Sequence, residues 1–341
     1  MLNTVYRLVE PRRIESEFSN IDVNGDSVLV RPTHLSICNA DQRYFQGTRP
    51  PEVLKKKLPM ALIHEAIGEV IYDPAGDFES GQKVVMVPNT PMEEDDIVAE
   101  NYLRSSKFRA SGFDGFMQDI VAMRRDRVVA VPDGIDDYVA AFTELVSVSY
   151  HAIDRFDRKA HGRRDVLGVW GDGNLAFITS LLLKKRFPES KVYIFGKHEY
   201  KMDDFVFADE TFFIDSIPED LRIDHGFECV GKAGSGTSIN QIIDYINPEG
   251  CIAALGVSED SVPINTRMIL EKGLTLYGSS RSSADDFRHL LQFYKEHPEV
   301  VDYLSSIIGE IVEVRTIKDM THAFDADIQK HGGKTVMVWK K

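Results

Sequence analysis

Val169-Trp170-Gly171-Asp172-Gly173-Asn174-Leu175-Ala176 is the stretch on which the fold turns. An apolar run, residues 165–170, leads into it, and a helical pattern over 175–187 leads out, closed by Pro188. A strand that passes into a helix through Gly-x-Gly-x-x-Ala suits a pyrophosphate. Gly171 permits the tight turn, Gly173 lets the backbone approach the anion, and Ala176 lets the helix pack closely on its strand. The first helical N–H groups, Asn174 among them, and the positive end of the helix dipole then face the negative charge. The motif alone is weakly specific; its place between a strand and a helix supports the assignment.

On either side of this turn, apolar segments recur at 165–170, 191–195, 211–214, 224–230, 250–257 and 274–279, with helical patterns such as 175–187 and 238–246 between them. This alternation predicts a doubly wound parallel sheet over 147–280, hence an α/β fold. Upstream the pattern is different. Short alternating runs at 27–32, 69–72 and 82–87, with turns at Asn24-Gly25-Asp26 and Pro74-Ala75-Gly76-Asp77, predict a small β-barrel. Residues 89–112 are polar and irregular, with the acidic run Glu93-Glu94-Asp95-Asp96, and read as a solvated loop or lobe. Helical patterns at 285–296 and 317–329 and a last strand at 335–339 are expected to return to the first domain. The expected division is therefore 1–146 with 281–341, and 147–280.

The chain has 341 residues, long for a single core, and a formal charge of −14, which argues against nucleic acid or an anionic membrane surface as partner. Cys38, Cys229 and Cys251 are odd in number and unpaired in spacing, so a reducing cytosol is the expectation. Neither a signal-peptide pattern nor an apolar run near the roughly 20 residues of a spanning helix is visible.

The end of the second strand of the parallel sheet bears on the coenzyme. A site for NAD usually carries Asp or Glu there, for the ribose 2′-hydroxyl. Here the chain reads Ile194-Phe195-Gly196-Lys197-His198-Glu199, and Lys197 and His198 suit a 2′-phosphate. NADP(H) is the expectation, against the alternative that Lys197 is a solvated charge and Glu199 reaches the hydroxyl.

Metal-capable residues lie in three separate segments: Cys38 in Ile37-Cys38-Asn39-Ala40-Asp41, His64 and Glu65 in Ile63-His64-Glu65-Ala66, and Glu144 in Phe142-Thr143-Glu144-Leu145. Thiolate, imidazole and carboxylate can hold zinc and leave its fourth position open. Each also has a structural reading: Cys38 as a small buried hydrophobe, His64 as a core histidine, Glu144 as a helix N-terminal carboxylate.

These segments resemble the zinc-dependent medium-chain alcohol and polyol dehydrogenases, and the likeness covers nearly the whole chain. Residues 63–70 are similar to the family's second ligand motif, residues 143–152 to the polyol-dehydrogenase segment with a glutamate ligand, and Phe227-Glu228-Cys229-Val230-Gly231 and Ala323-Phe324-Asp325-Ala326 also match. The resemblance implies a GroES-like β-barrel catalytic domain, a Rossmann domain, and one catalytic zinc on Cys38, His64 and Glu144. Glu65 is then an adjacent, exchangeable carboxylate, and Asp41 a support for the ligands. Residues 89–112 lack the four cysteines of the family's structural zinc lobe, so no structural zinc is expected. Ala40 stands where Ser or Thr commonly relays the proton, which leaves water, Glu65, Tyr44 or a substrate hydroxyl for that task. Arg43 stands where a histidine is common.

Within the family the chain looks most like the ribulose-5-phosphate reductases that make ribitol 5-phosphate for wall teichoic acid or capsule. The implied substrate is a sugar phosphate, with an unphosphorylated polyol or a non-catalytic NADPH-binding role as alternatives. Arg43, Tyr44 and Arg281 are the candidate substrate residues, Arg281 foremost for the phosphate; Arg49 and Lys55-Lys56-Lys57 are further cations, the lysine run reading first as a solvated face. The resemblance also implies a homodimer or homotetramer, and a cytidylyltransferase as a partner that would take the product.

Overall fold

Six parallel strands make the sheet that contains the glycine turn, in the spatial order Glu210–Phe213, Lys191–Gly196, Val166–Trp170, His225–Glu228, Cys251–Ala254 and Thr275–Gly278. The order reverses at Val166–Trp170, the topological switch point at which open α/β sheets bind ligands. Leu167 to Trp170 are buried without interruption, as expected of a strand covered by helices on both faces, so its residues are apolar throughout instead of alternating. Trp170 stacks on Phe195 of the neighbouring strand, ring centroids 3.8 Å apart, within a cluster completed by isoleucines such as Ile239, Ile242 and Ile252. The six strands lie where the apolar segments predict them, and Asn174–Arg186 and Gly234–Tyr245 are the helices expected between them.

The structure is a computed structural model and describes residues 1–23 and 25–341; the turn expected at Asn24-Gly25-Asp26 includes Asn24, which lies outside the described residues. The described chain divides into two units, Met1–Ser147 with Ser282–Lys341, and Val148–Arg281. Among the described residues no helix is long and apolar enough to cross a membrane.

The first unit is built on a mixed sheet in the order Val128–Ala130, Lys83–Met86, Glu65–Tyr72, Val28–Ile37, Lys334–Trp339 and Ile308–Val314, with Val121–Met123 also paired to Val28–Ile37. A smaller sheet joins Arg13–Asn20, Leu2–Glu10 and Met60–Ala61. Two pairings in the larger sheet position the residues around Cys38. Ser36 lies opposite Glu65 on one side of the central strand, and Ile37 lies opposite Thr335 on the other. The strand thus delivers Cys38 at its end, flanked by the start of Glu65–Tyr72 and the start of Lys334–Trp339.

Residues 89–112 are more ordered than a solvated loop. Asn89–Thr90 pairs with Lys107–Phe108, and Asn101 is buried between them in sequence. Arg127, itself buried, reaches Glu100 Oε1 at 2.6 Å and fixes this segment to the sheet. The acidic run remains exposed, as its composition predicts.

Candidate active site

Cys38 caps the short helix Asn39–Phe45. Its backbone N–H donates to Asp41 Oδ2 at 3.1 Å, and the other Asp41 oxygen accepts from Ile63 N at 3.0 Å. One buried carboxylate therefore holds both ligand-bearing segments. Ile63 needs that hold, because its φ of 72° is a left-handed backbone that a β-branched residue disfavours. Asp41 Oδ1 also faces His64 Nδ1 at 3.5 Å. Burial acts to lower the pKa of the His64 ring, but the charges of Asp41 and Cys38 outweigh it, and the ring's proton affinity stands well above its ordinary value. The Phe108 ring, 5.4 Å away, covers the imidazole.

Candidate ligand atoms of Cys38, His64 and Glu65 all lie within 4.8 Å of one another. Glu65 is fully buried, and its Oε1 has no hydrogen-bond partner among the described residues. A carboxylate oxygen removed from water in this way requires a positive partner. Glu144, in the first turn of Thr143–Lys159, is buried beside this group. Burial is the main cause that pushes its carboxyl pKa up; the neighbouring charges of Glu65 and Asp41 add to it, while His64 and Lys334 oppose it. A thiol, an imidazole and two carboxylates crowded together out of water repel one another unless a cation joins them. The donor set and the orphaned oxygen fit a zinc ion.

Lys334 is the residue that sequence reasoning missed. It opens the strand Lys334–Trp339, is 2% exposed, and places Nζ 2.8 Å from Glu65 Oε2 and 2.9 Å from the Ile37 carbonyl oxygen. Nearby, Lys330 pairs with Asp327, whose Oδ2 accepts from Gln42 Nε2 at 2.8 Å. A lysine at the head of an apolar strand carries no sequence signal of its partner; only the register of that strand against Val28–Ile37 supplies it.

In the second unit the glycine turn has the geometry its residues predict. Gly171 has φ 131°, and a Cβ there would stand 3.2 Å from both the Ala176 Cβ and the Cys229 carbonyl. Gly173 caps the helix Asn174–Arg186 with open space where a side chain would project, which leaves the backbone N–H groups accessible to an anion. Ala176 is fully buried against the sheet.

Lys197 and His198 are exposed at the end of Lys191–Gly196 and are not independent of this turn. Asp172 Oδ2 accepts three hydrogen bonds, from Lys197 N at 2.8 Å, His198 N at 3.0 Å and His198 Nδ1 at 2.8 Å. Partial burial opposes ionisation of Asp172, but these bonds prevail and hold its pKa below the usual carboxylate range. With Nδ1 donating to Asp172, the outward Nε2 of His198 is the nitrogen left for a ligand. Glu228, also buried, holds the next loop by accepting from Val230 N, Gly231 N and Ser235 Oγ through Oε1 and from Gly256 N through Oε2. Neither acid was assigned a role from sequence.

Of the residues expected to meet substrate, Arg43 and Tyr44 lie on the helix after Cys38, in the first unit. Arg281 closes the second unit with φ 57°.

Comparison with known proteins gives the same outline. Residues 24–133 match the alcohol dehydrogenase GroES-like domain, and residues 202–296 match the zinc-binding dehydrogenase domain. The chain is 57% identical to the ribulose-5-phosphate reductase of Bacillus spizizenii over 100% of both chains. It is 56% identical to ribulose-5-phosphate reductase 1 of Staphylococcus aureus over 99% of each. The crystal structure of S. aureus TarJ in complex with NADPH superposes with a TM-score of 0.91 at 51% identity, covering 100% of both chains.

Proposed function

The chain belongs to the zinc-binding alcohol dehydrogenase family, in the branch of the ribulose-5-phosphate reductases, and we propose accordingly that it reduces D-ribulose 5-phosphate to D-ribitol 5-phosphate with NADPH, for teichoic acid or capsule precursor supply. The observation that carries this reading is the meeting of Cys38, His64 and Glu65 within 4.8 Å, with Glu144 buried beside them, in a chain whose glycine turn is tied to the loop that carries Lys197 and His198.

When bound, zinc supplies a Lewis acid for a ketone oxygen, and NADPH supplies the hydride. The protein's residues do the rest. Cys38, His64 and Glu144 would hold the ion, with Glu65, paired to Lys334, as the neighbouring carboxylate. Asp41 orients the first two ligands through the backbone of their segments. Gly171, Gly173, Asn174 and Ala176 would shape the pyrophosphate turn, and Lys197 and His198 would meet the 2′-phosphate. Because Ala40 offers no hydroxyl, the proton for the product alcohol reaches it through water, Glu65 or a hydroxyl of the substrate.

A homodimer or homotetramer accords with the edge strand Thr275–Gly278, whose outer backbone groups are open to a second copy. A cytidylyltransferase that consumes the product is the proposed functional partner. The test is turnover of D-ribulose 5-phosphate, D-ribulose and other ketoses by the purified protein, with NADPH or NADH, before and after chelation. Reduction selective for the phosphorylated pentulose with NADPH, lost on chelation and restored by zinc, is expected. Equal turnover of free ketoses, or full activity after chelation, would overturn it.

A further inference from the structure

Most arginines of the first unit are matched to carboxylates: Arg7 to Asp114, Arg125 to Asp73, Arg127 to Glu100. Lys57 is different. Among the described residues its Nζ makes one hydrogen bond, to Ser111 Oγ at 2.9 Å, and has no acidic partner. It stands over the ring of Tyr44, 5.8 Å from the centroid, and the Arg49 guanidinium stands over the same ring at 4.7 Å. Tyr44 is 1% exposed, and its hydroxyl is buried with no hydrogen-bond partner among the described residues.

We propose that Tyr44, Arg49, Lys57 and Ser111 form the subsite that holds the phosphate group of the substrate. This rests on the reading of the chain as a ketose-phosphate reductase and assigns the residues that tell a phosphorylated ketose from a free one. A chain with a net charge of −14 repels a phosphate dianion unless local cations receive it. The four residues supply the donors such a group takes: a lysine point charge, an arginine fork and two hydroxyls. Tyr44 is the platform that brings the two cations together.

The placement also fits the length of the substrate. Tyr44 lies on the helix that Cys38 caps, about 9 Å along its axis from that cysteine at 1.5 Å per residue. The carbonyl carbon and phosphorus of an extended pentulose 5-phosphate lie roughly 6 Å apart at ordinary bond lengths. A carbonyl at the Cys38 end and a phosphate beside Tyr44 therefore suit one molecule. Lys55 and Lys56 have no part in this: they are exposed on the last turn of Pro51–Lys57, where cations favour the helix dipole.

The experiment compares kcat/KM for D-ribulose 5-phosphate with kcat/KM for D-ribulose in the full-length protein and in Lys57→Ala, Lys57→Arg, Arg49→Ala and Tyr44→Phe. The ratio is expected to fall about tenfold or more in Lys57→Ala and Arg49→Ala, the size of one lost charge-assisted hydrogen bond. Lys57→Arg keeps the cation and should retain most of the preference. Because Lys57 is partly exposed, its replacement leaves the core intact, and circular dichroism checks this. A wild-type preference that survives unchanged in both alanine variants would sink the subsite alone. A wild-type enzyme with no preference would sink the parent reading with it.

Discussion

Lys334 Nζ lies 2.8 Å from Glu65 Oε2, and both side chains are sealed from water. Two charges so placed cost several kcal/mol each to desolvate, and they hold together only as a pair. Lys334→Met leaves Glu65 uncompensated and is expected to destabilise the first unit by about 3–5 kcal/mol. The double variant Lys334→Met/Glu65→Gln, which removes both charges, should recover much of that loss. Thermal unfolding of the three proteins, with zinc measured on each, checks it; equal melting of single and double variants would refute the coupling.

Cys38→Ser and His64→Ala remove proposed metal ligands without touching the glycine turn. Turnover should fall by two to three orders of magnitude or more, the scale of a lost electrostatic stabiliser. Bound zinc should fall with it, while NADPH still quenches or shifts protein fluorescence as in the parent. A variant that keeps both zinc and turnover would show that the residue is structural.

Asp172 ties the pyrophosphate turn to the loop that carries Lys197 and His198. Asp172→Ala frees that loop, and NADPH affinity is expected to drop about tenfold, as for the loss of charged hydrogen bonds. NADH, which has no 2′-phosphate, should lose less. Fluorescence titration with both coenzymes measures the ratio; an equal loss for both would assign Asp172 to the pyrophosphate turn alone.

His225 predicts an acid limit to stability. Its Nε2 donates to the Arg163 carbonyl at 2.9 Å, and its Nδ1 accepts from Cys251 N at 3.0 Å, so a second ring proton would meet a donor. Burial and the adjacent His161 lower its pKa to about 4. The unfolded ring takes its proton near pH 6.5, the folded ring only near pH 4, so between those values the unfolded chain binds more protons. The contribution is fully present above pH 6.5 and is lost as pH falls toward 4, by about 3 kcal/mol. Urea midpoints at neutral and acid pH, with and without His225→Asn, measure it; the variant should flatten the dependence.

The parallel sheet was legible because its strands are buried on both faces and read as unbroken apolar runs set between helical patterns. Leu2–Glu10 and Arg13–Asn20 were not. Arg13–Asn20 exposes most of its residues, so Arg13, Glu15 and Glu17 leave no apolar stripe, and only pairing makes it a strand. For Thr143–Lys159 only the start was read as helical, with Glu144 as an N-terminal carboxylate; the full length of the helix was not. In the candidate centre, Cys38, Asp41, His64, Glu65 and Glu144 could be picked out as residue types with known chemistry. Lys334 and Asp172 could not, because their meaning lies in a partner across a strand register or a turn.

The counter-charge of Glu65 comes from the last strand, which also hydrogen-bonds to Ile37 across 297 positions of sequence. During synthesis the GroES-like segment leaves the ribosome long before Lys334 exists. The centre is thus incomplete on the nascent chain, and Glu65 stays hydrated until the C-terminal strand zips in. The buried pair of Glu65 and Lys334 can therefore form only once the last strand is in place, and a truncation that removes that strand would leave Glu65 without its counter-charge even though it spares every proposed ligand.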